Sequence, residues 1–116
     1  MNLVAFNLTR NELVATTVEK ADTSASRNRG LLGRASLAAD EGLWIVPCPM
    51  IHTFFMKFPI DVLFLDADLT VRRVIEDLRP WRLSPWVLSA RSVLELKGGV
   101  LKGSVRVGDR IEMRPA

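Results

Sequence analysis

The 116-residue sequence predicts an α+β fold, mostly antiparallel β, with a curled sheet or partial barrel and one short helix. Three observations carry this. Short runs of β-branched and bulky apolar residues recur along the whole chain, bounded by Gly, Pro, Asn and Asp. Successive runs are joined by turns too short for a crossover, which makes them antiparallel neighbours. Only the stretch around residues 22–33 carries the start and stop chemistry of a helix.

In order, residues 3–8 (LVAFNL) form a first strand, and Thr9-Arg10-Asn11-Glu12 turns the chain into a second over Leu13 to Val18. Asp22, Thr23 or Ser24 can cap a short helix through Ala25 to Arg29. Gly30 weakens that helix, Gly33 stops it, and Leu31, Leu32 and Leu37 dock it onto the sheet. Ala38 to Gly42 turns the chain into residues 44–66, which hold its single Cys and single His. There Trp44-Ile45-Val46 is a short strand halted by Pro47 and Pro49, neither of which can donate a ladder hydrogen bond. Thr53 to Met56 rebuilds an extended run, Pro59 interrupts it, and Val62 to Leu65 forms a strand apolar on both faces. Asp66-Ala67-Asp68 turns into a strand over Thr70 to Ile75. Residues 79–89, with two Pro-Trp pairs and no clean period, form an irregular surface loop. Ala90 to Leu96 is a further strand closed by Lys97-Gly98-Gly99, and Gly108-Asp109 is a corner before a last strand over Arg110 to Met113.

The length suits one domain spanning residues 1–116, with a core large enough to need no staples. One Cys cannot form an internal disulfide, and no stretch approaches the roughly 20 apolar residues of a transmembrane helix. Residues 1–13 have no basic segment followed by a long apolar one, so the default location is cytoplasmic, with an exported form left open if a signal has been trimmed. The net charge of +3 is mild, and Arg27, Arg29, Arg34, Arg72, Arg73, Arg79 and Arg82 are dispersed, which argues against nucleic acid as the main partner.

The segment PCPMIHTFFMKFPIDVLFLD, preceded by RGLLGR and followed by PW, LEL and VRVGD, resembles the domain-of-unknown-function family 192, DUF192. The order of elements matches over nearly the whole chain. The matched motifs are Arg29 to Arg34, Phe55-Met56-Lys57 with Pro59-Ile60-Asp61, and Ala90 to Leu96 with Glu95. Cys48 and His52 ahead of the Met-Lys pair resemble one subgroup. The resemblance implies a compact β-rich fold with no established biochemical activity.

The candidate site residues each have a functional and a structural reading. Cys48 and His52 stand four apart and could supply a thiolate and its base, with Asp61 or Glu95 orienting the imidazole. Equally, Cys48 is a small buried hydrophobe and His52 a ring satisfied by backbone. Without a second Cys or His, zinc lacks ligands, and no cofactor is called for. Lys57 and Asp61 could hold and orient an anionic ligand, or could pair with each other, with Glu95 or with an arginine to set register. Residues 29–34 could pass for an anion loop but fit no phosphate-binding pattern, and a helix end with solvated arginines explains them. Trp81, Arg82 and Trp86 could anchor a partner or fold down as a lid.

These readings converge on a non-enzymatic binding or accessory module for a peptide, protein or small anionic ligand. Its surface would be lined by Trp44, Phe55, Met56 and Trp81, with Lys57, Asp61, Arg82 and Glu95 as polar handles. A small thiol-dependent hydrolase or redox enzyme using Cys48 and His52 is the first alternative, and weak nucleic-acid binding the second.

Overall fold

The structure, a computed structural model, describes residues 2–116. Alternation of apolar residues builds seven strands and one helix: β1 (Asn2–Asn7), β2 (Glu12–Ala21), α1 (Ser24–Arg29), β3 (Glu41–Ile45), β4 (Ile60–Leu65), β5 (Val71–Leu78), β6 (Ser92–Lys97) and β7 (Ile111–Pro115). They form a single sheet in the order β5-β4-β6-β3-β2-β1-β7. Every pairing is antiparallel except β2 with β3. That exception follows from the connection between them, which runs through α1 and is long enough to reverse direction twice.

The sheet curls until its outer strands approach at one end. Thr70 and Arg110 make an isolated bridge, the Val71 N–H donates to the Asp109 carbonyl at 2.8 Å, and the Ile111 N–H donates to the Leu69 carbonyl at 2.9 Å. The result is a half-barrel, in agreement with the expected class. Its corner is set by Gly108, whose φ of 95° suits glycine, and by Asp109. The buried Asp109 carboxylate accepts from Asn7 Nδ2, Arg10 Nε and the Arg106 N–H at 2.8–3.0 Å. Burial alone would raise its pKa; these donors and the Arg10 charge outweigh burial and hold it below the usual value.

Because side chains alternate across a strand, the two central strands serve two cores. On β6, Leu94 and Leu96 join Leu63, Leu65 and Val18 inside the curl, while Val93 packs with Val62, Phe64 and Ile45 on the outer face. The outer face is covered by the segment after α1 with Leu31 and Leu37 and by the loop carrying Ile51 and Met56, while α1 itself buries none of its residues. Cover on both sides is why β4 is buried at every position. It also requires Gly98, since a Cβ there would lie 2.9 Å from the Pro59 carbonyl oxygen.

Several boundaries differ from the expectation. The helix ends at Gly30, not Gly33: the Gly30 N–H closes on the Ser26 carbonyl and its φ is 48°. Its start is Thr23, whose hydroxyl accepts from the Ser26 N–H while the Ser26 hydroxyl accepts from the Thr23 N–H, a reciprocal cap. The expected strand at Thr53 to Met56 is instead a turn with Phe55 at φ 65°. Thr53 is responsible. Fully buried, its hydroxyl donates to the Arg79 carbonyl at 2.6 Å and accepts from the Arg82 N–H at 2.9 Å, so its partners lie in the 79–82 loop and only His52 bridges, to Leu83.

Candidate functional site

The outer layer does not close completely over the sheet. Between α1 with its following turn and the loop over residues 47–52 lies a cleft of about 290 Å³. Its walls are apolar, including Leu31, Ile45, Met50 and Met56, and Arg27, Arg29 and His52 stand along it. Glu95 is the polar residue that the sheet contributes. Its placement follows from strand parity: Glu95 pairs with Val62 of β4 and Leu43 of β3, so it shares their outward face.

Glu95 is only 4% exposed. Among the described residues its carboxyl oxygens have no hydrogen-bond partner and no ion pair, although it lines the cleft. Burial pushes its pKa up to about 8, so the side chain is a neutral acid at neutral pH. A neutral carboxyl both donates and accepts, and here neither capacity is used by the protein.

Cys48 lines the same cleft, half-buried. Its thiol donates to the Met50 carbonyl at 2.8 Å, and burial raises its pKa above the ordinary thiol value. His52 is exposed; its Nδ1 accepts from the Phe54 N–H at 3.3 Å and its ring stacks on Phe54 at 5.0 Å between centroids. Among the described residues no hydrogen bond joins the thiol to the imidazole. The expected result of alkylation with iodoacetamide is therefore a slow reaction whose rate still climbs above about pH 8.5 and is unchanged in His52→Ala. A fast reaction at neutral pH that the substitution abolishes would show a coupled thiolate instead.

Asp61 lies elsewhere. One register position from Val62, it faces the interior of the curl, on the opposite side of the sheet from Glu95. Its partners are not a cation but three backbone N–H groups: Asp77 and Gly99 on Oδ1 and Leu101 on Oδ2, at 2.8, 2.9 and 2.9 Å. Lys57 is exposed and makes no salt bridge among the described residues. Trp44 also faces the interior, with its indole N–H on Ser92 Oγ at 2.9 Å and Lys20 over its ring. Of the surface expected from the sequence, Met56 lines the cleft, while Phe55 and Trp81 pack on each other at 4.7 Å beside Phe54.

That aromatic ledge adjoins the cleft through His52. Phe55 is 70% exposed and Trp81 57%, and both have φ of 65°, a region that bulky residues rarely adopt. Arg82 is exposed on the same loop, its backbone held by Thr53. Trp86 is exposed farther along that loop. No group of three or more His, Cys, Asp or Glu side chains converges among the described residues, and no helix is long and apolar enough to cross a membrane.

Arg27 and Met50 carried no signal in the sequence. The first is an ordinary helix residue and the second an apolar residue after Pro49, and only the fold brings both to the lining of one cleft. Arg29 had a weak signal, as the start of the glycine-bracketed segment 29–34.

The chain is similar to two archaeal proteins named UPF0127. One, from Pyrococcus abyssi, is 46% identical over 63 residues, a match spanning 53% of this chain and 53% of that protein. The other, from Pyrococcus furiosus, is 31% identical over 91% of this chain and 94% of its own length. In three dimensions the chain resembles a crystal structure of a protein of unknown function from Novosphingobium aromaticivorans, with a TM-score of 0.83 and 26% identity, over 95% of this chain and 83% of that one. The family model DUF192, described as uncharacterized ACR, matches residues 6–113. The chain therefore belongs to the DUF192 family of uncharacterised proteins.

Proposed function

We propose that this protein is a non-enzymatic binding module whose ligand seats in the cleft between α1 and the 47–52 loop. The observation that carries this reading is Glu95. A carboxyl this deeply buried with neither oxygen hydrogen-bonded to the protein costs folding free energy, and what access its oxygens keep is through the cleft it lines. The cleft beside it has the mixed lining of a small-molecule site, apolar walls with a few polar groups. Arg27 and Arg29 form no ion pair among the described residues. They give the site cationic character and suit an anionic group on the ligand. Against a thiol enzyme stands the raised pKa of Cys48 and the commitment of its hydrogen to Met50.

A second reading is favoured by the ledge of Phe54, Phe55 and Trp81. Holding Phe55 and Trp81 at positive φ costs on the order of 1–3 kcal/mol each, and the rings so placed face solvent. A peptide that fills the cleft and continues across the ledge would use both features, with Arg82 at its edge.

Met50 and Met56 line the cleft and Met113 packs with the interior core, so their methyl resonances discriminate between sites. Titration with a panel of short carboxylates and phosphates is expected to move the Met50 and Met56 signals and leave Met113 still. Shifts confined to other regions, or none, would refute a ligand site here.

A further inference from the structure

The cleft differs in chemical character between its sheet side and its α1 side. At the sheet lies Glu95, and the lining it shares includes the hydrocarbon and thioether groups of Ile45, Ile51 and Met56. On the α1 side lie Arg27 and Arg29. Arg27 Nη1 is anchored to the Asp22 carbonyl at 3.1 Å, and its charge bears on the Cys48 thiol. Strand neighbours Leu43 and Val62 bring no charge to Glu95, so the titratable groups around it are Cys48, Arg27, Arg29 and His52.

Resting on the cleft as the binding site, we propose that it selects a small zwitterion, whose ammonium or amidinium group meets Glu95 and whose carboxylate lies against Arg27 and Arg29. An anion beside Glu95 could take only its single acid hydrogen and would leave the remaining acceptor capacity unmet, and an apolar end would leave both oxygens unmet. A cationic N–H group satisfies them and forms a charge-assisted pair, the arrangement in which a buried carboxylate is compensated. The two ends of the ligand then meet the sheet side and the α1 side of the cleft respectively. The proton balance follows. Free protein holds Glu95 as the acid; the bound form holds carboxylate against ammonium; the Glu95 proton leaves to solvent.

Three ligands of one chain length test this: ω-aminohexanoate, hexanoate and hexylamine, titrated calorimetrically near neutral pH in two buffers of different ionisation enthalpy. The amino acid is expected to bind about tenfold or more tightly than either single-charge ligand, releasing close to one proton per molecule bound. Glu95→Gln is expected to reduce its affinity to that of hexanoate and abolish the proton release, while Arg27→Gln reduces it to that of hexylamine. Hexanoate or hexylamine matching the amino acid, or binding without proton release, overturns the zwitterion and leaves the cleft standing as a site. If none of the three binds or moves the Met50 and Met56 methyls at millimolar concentration, while other carboxylates or phosphates do move them, the zwitterion alone fails. If nothing moves them, the cleft itself fails.

Discussion

Glu95→Gln is expected to make the protein more stable above the ordinary glutamate pKa of 4.5, by an amount that grows with pH until about 8. The native pKa of about 8 lies above the ordinary glutamate value of 4.5, so the native state binds more protons than the unfolded chain between those two values. Stability from this group is complete below about pH 4.5, falls as pH rises through the window, and is flat again above about 8. The full difference corresponds to on the order of 5 kcal/mol. Glutamine has nearly the same shape and stays neutral, so the substitution removes the loss without emptying the site. Denaturant unfolding of both proteins from acid to alkaline pH checks this. The curves should converge in acid, separate as pH rises towards about 8 and run parallel beyond it. Curves parallel throughout would mean that Glu95 ionises in the native protein as it does in the unfolded chain.

Asp61→Ala is expected to destabilise the fold by roughly 5 kcal/mol, since three backbone donors lose a charged acceptor together and are left without a partner. Water cannot readily substitute, because Asp61 is fully buried. Asp61→Asn separates the contributions. Its single amide oxygen can serve the Asp77 and Gly99 donors, while the amide nitrogen opposes the Leu101 N–H, so about half the loss is expected. Chemical denaturation reads both variants. A loss under about 1 kcal/mol for the alanine would show that the β5 backbone and the 98–101 turn find other acceptors.

The curled sheet was legible because its signals are local. The runs 3–8 and 62–65 and the Asp66 turn read correctly from alternation and turn chemistry alone; the Asp66 carboxylate does accept from the Asp68 and Thr70 N–H groups. What failed was decided at a distance. Thr53 looks like one more β-branched strand residue until Arg79 and Arg82 are known to lie beside its hydroxyl. Asp61 and Glu95 both stand out as acids in apolar runs. Whether they share a site depends on the register between β4 and β6, where a shift of one residue would exchange their faces. Their separation, one into the curl and one into the cleft, could not be read from residue types. Cys48 and His52 were singled out for being unique, and uniqueness carries no geometry.

The pairing of β1 with β7 has a consequence for how the chain reaches this state. Leu3 faces Pro115 and Asn7 faces Ile111, and the sheet closes at one end only when β5 meets the approach to β7. Neighbours in the sheet are therefore often distant in sequence, and the entropy of bringing them together must be met before their contacts reward it. Refolding on the millisecond-to-second scale follows, with the β1–β2 and β4–β5 hairpins able to form early and β7 among the last elements to find its place.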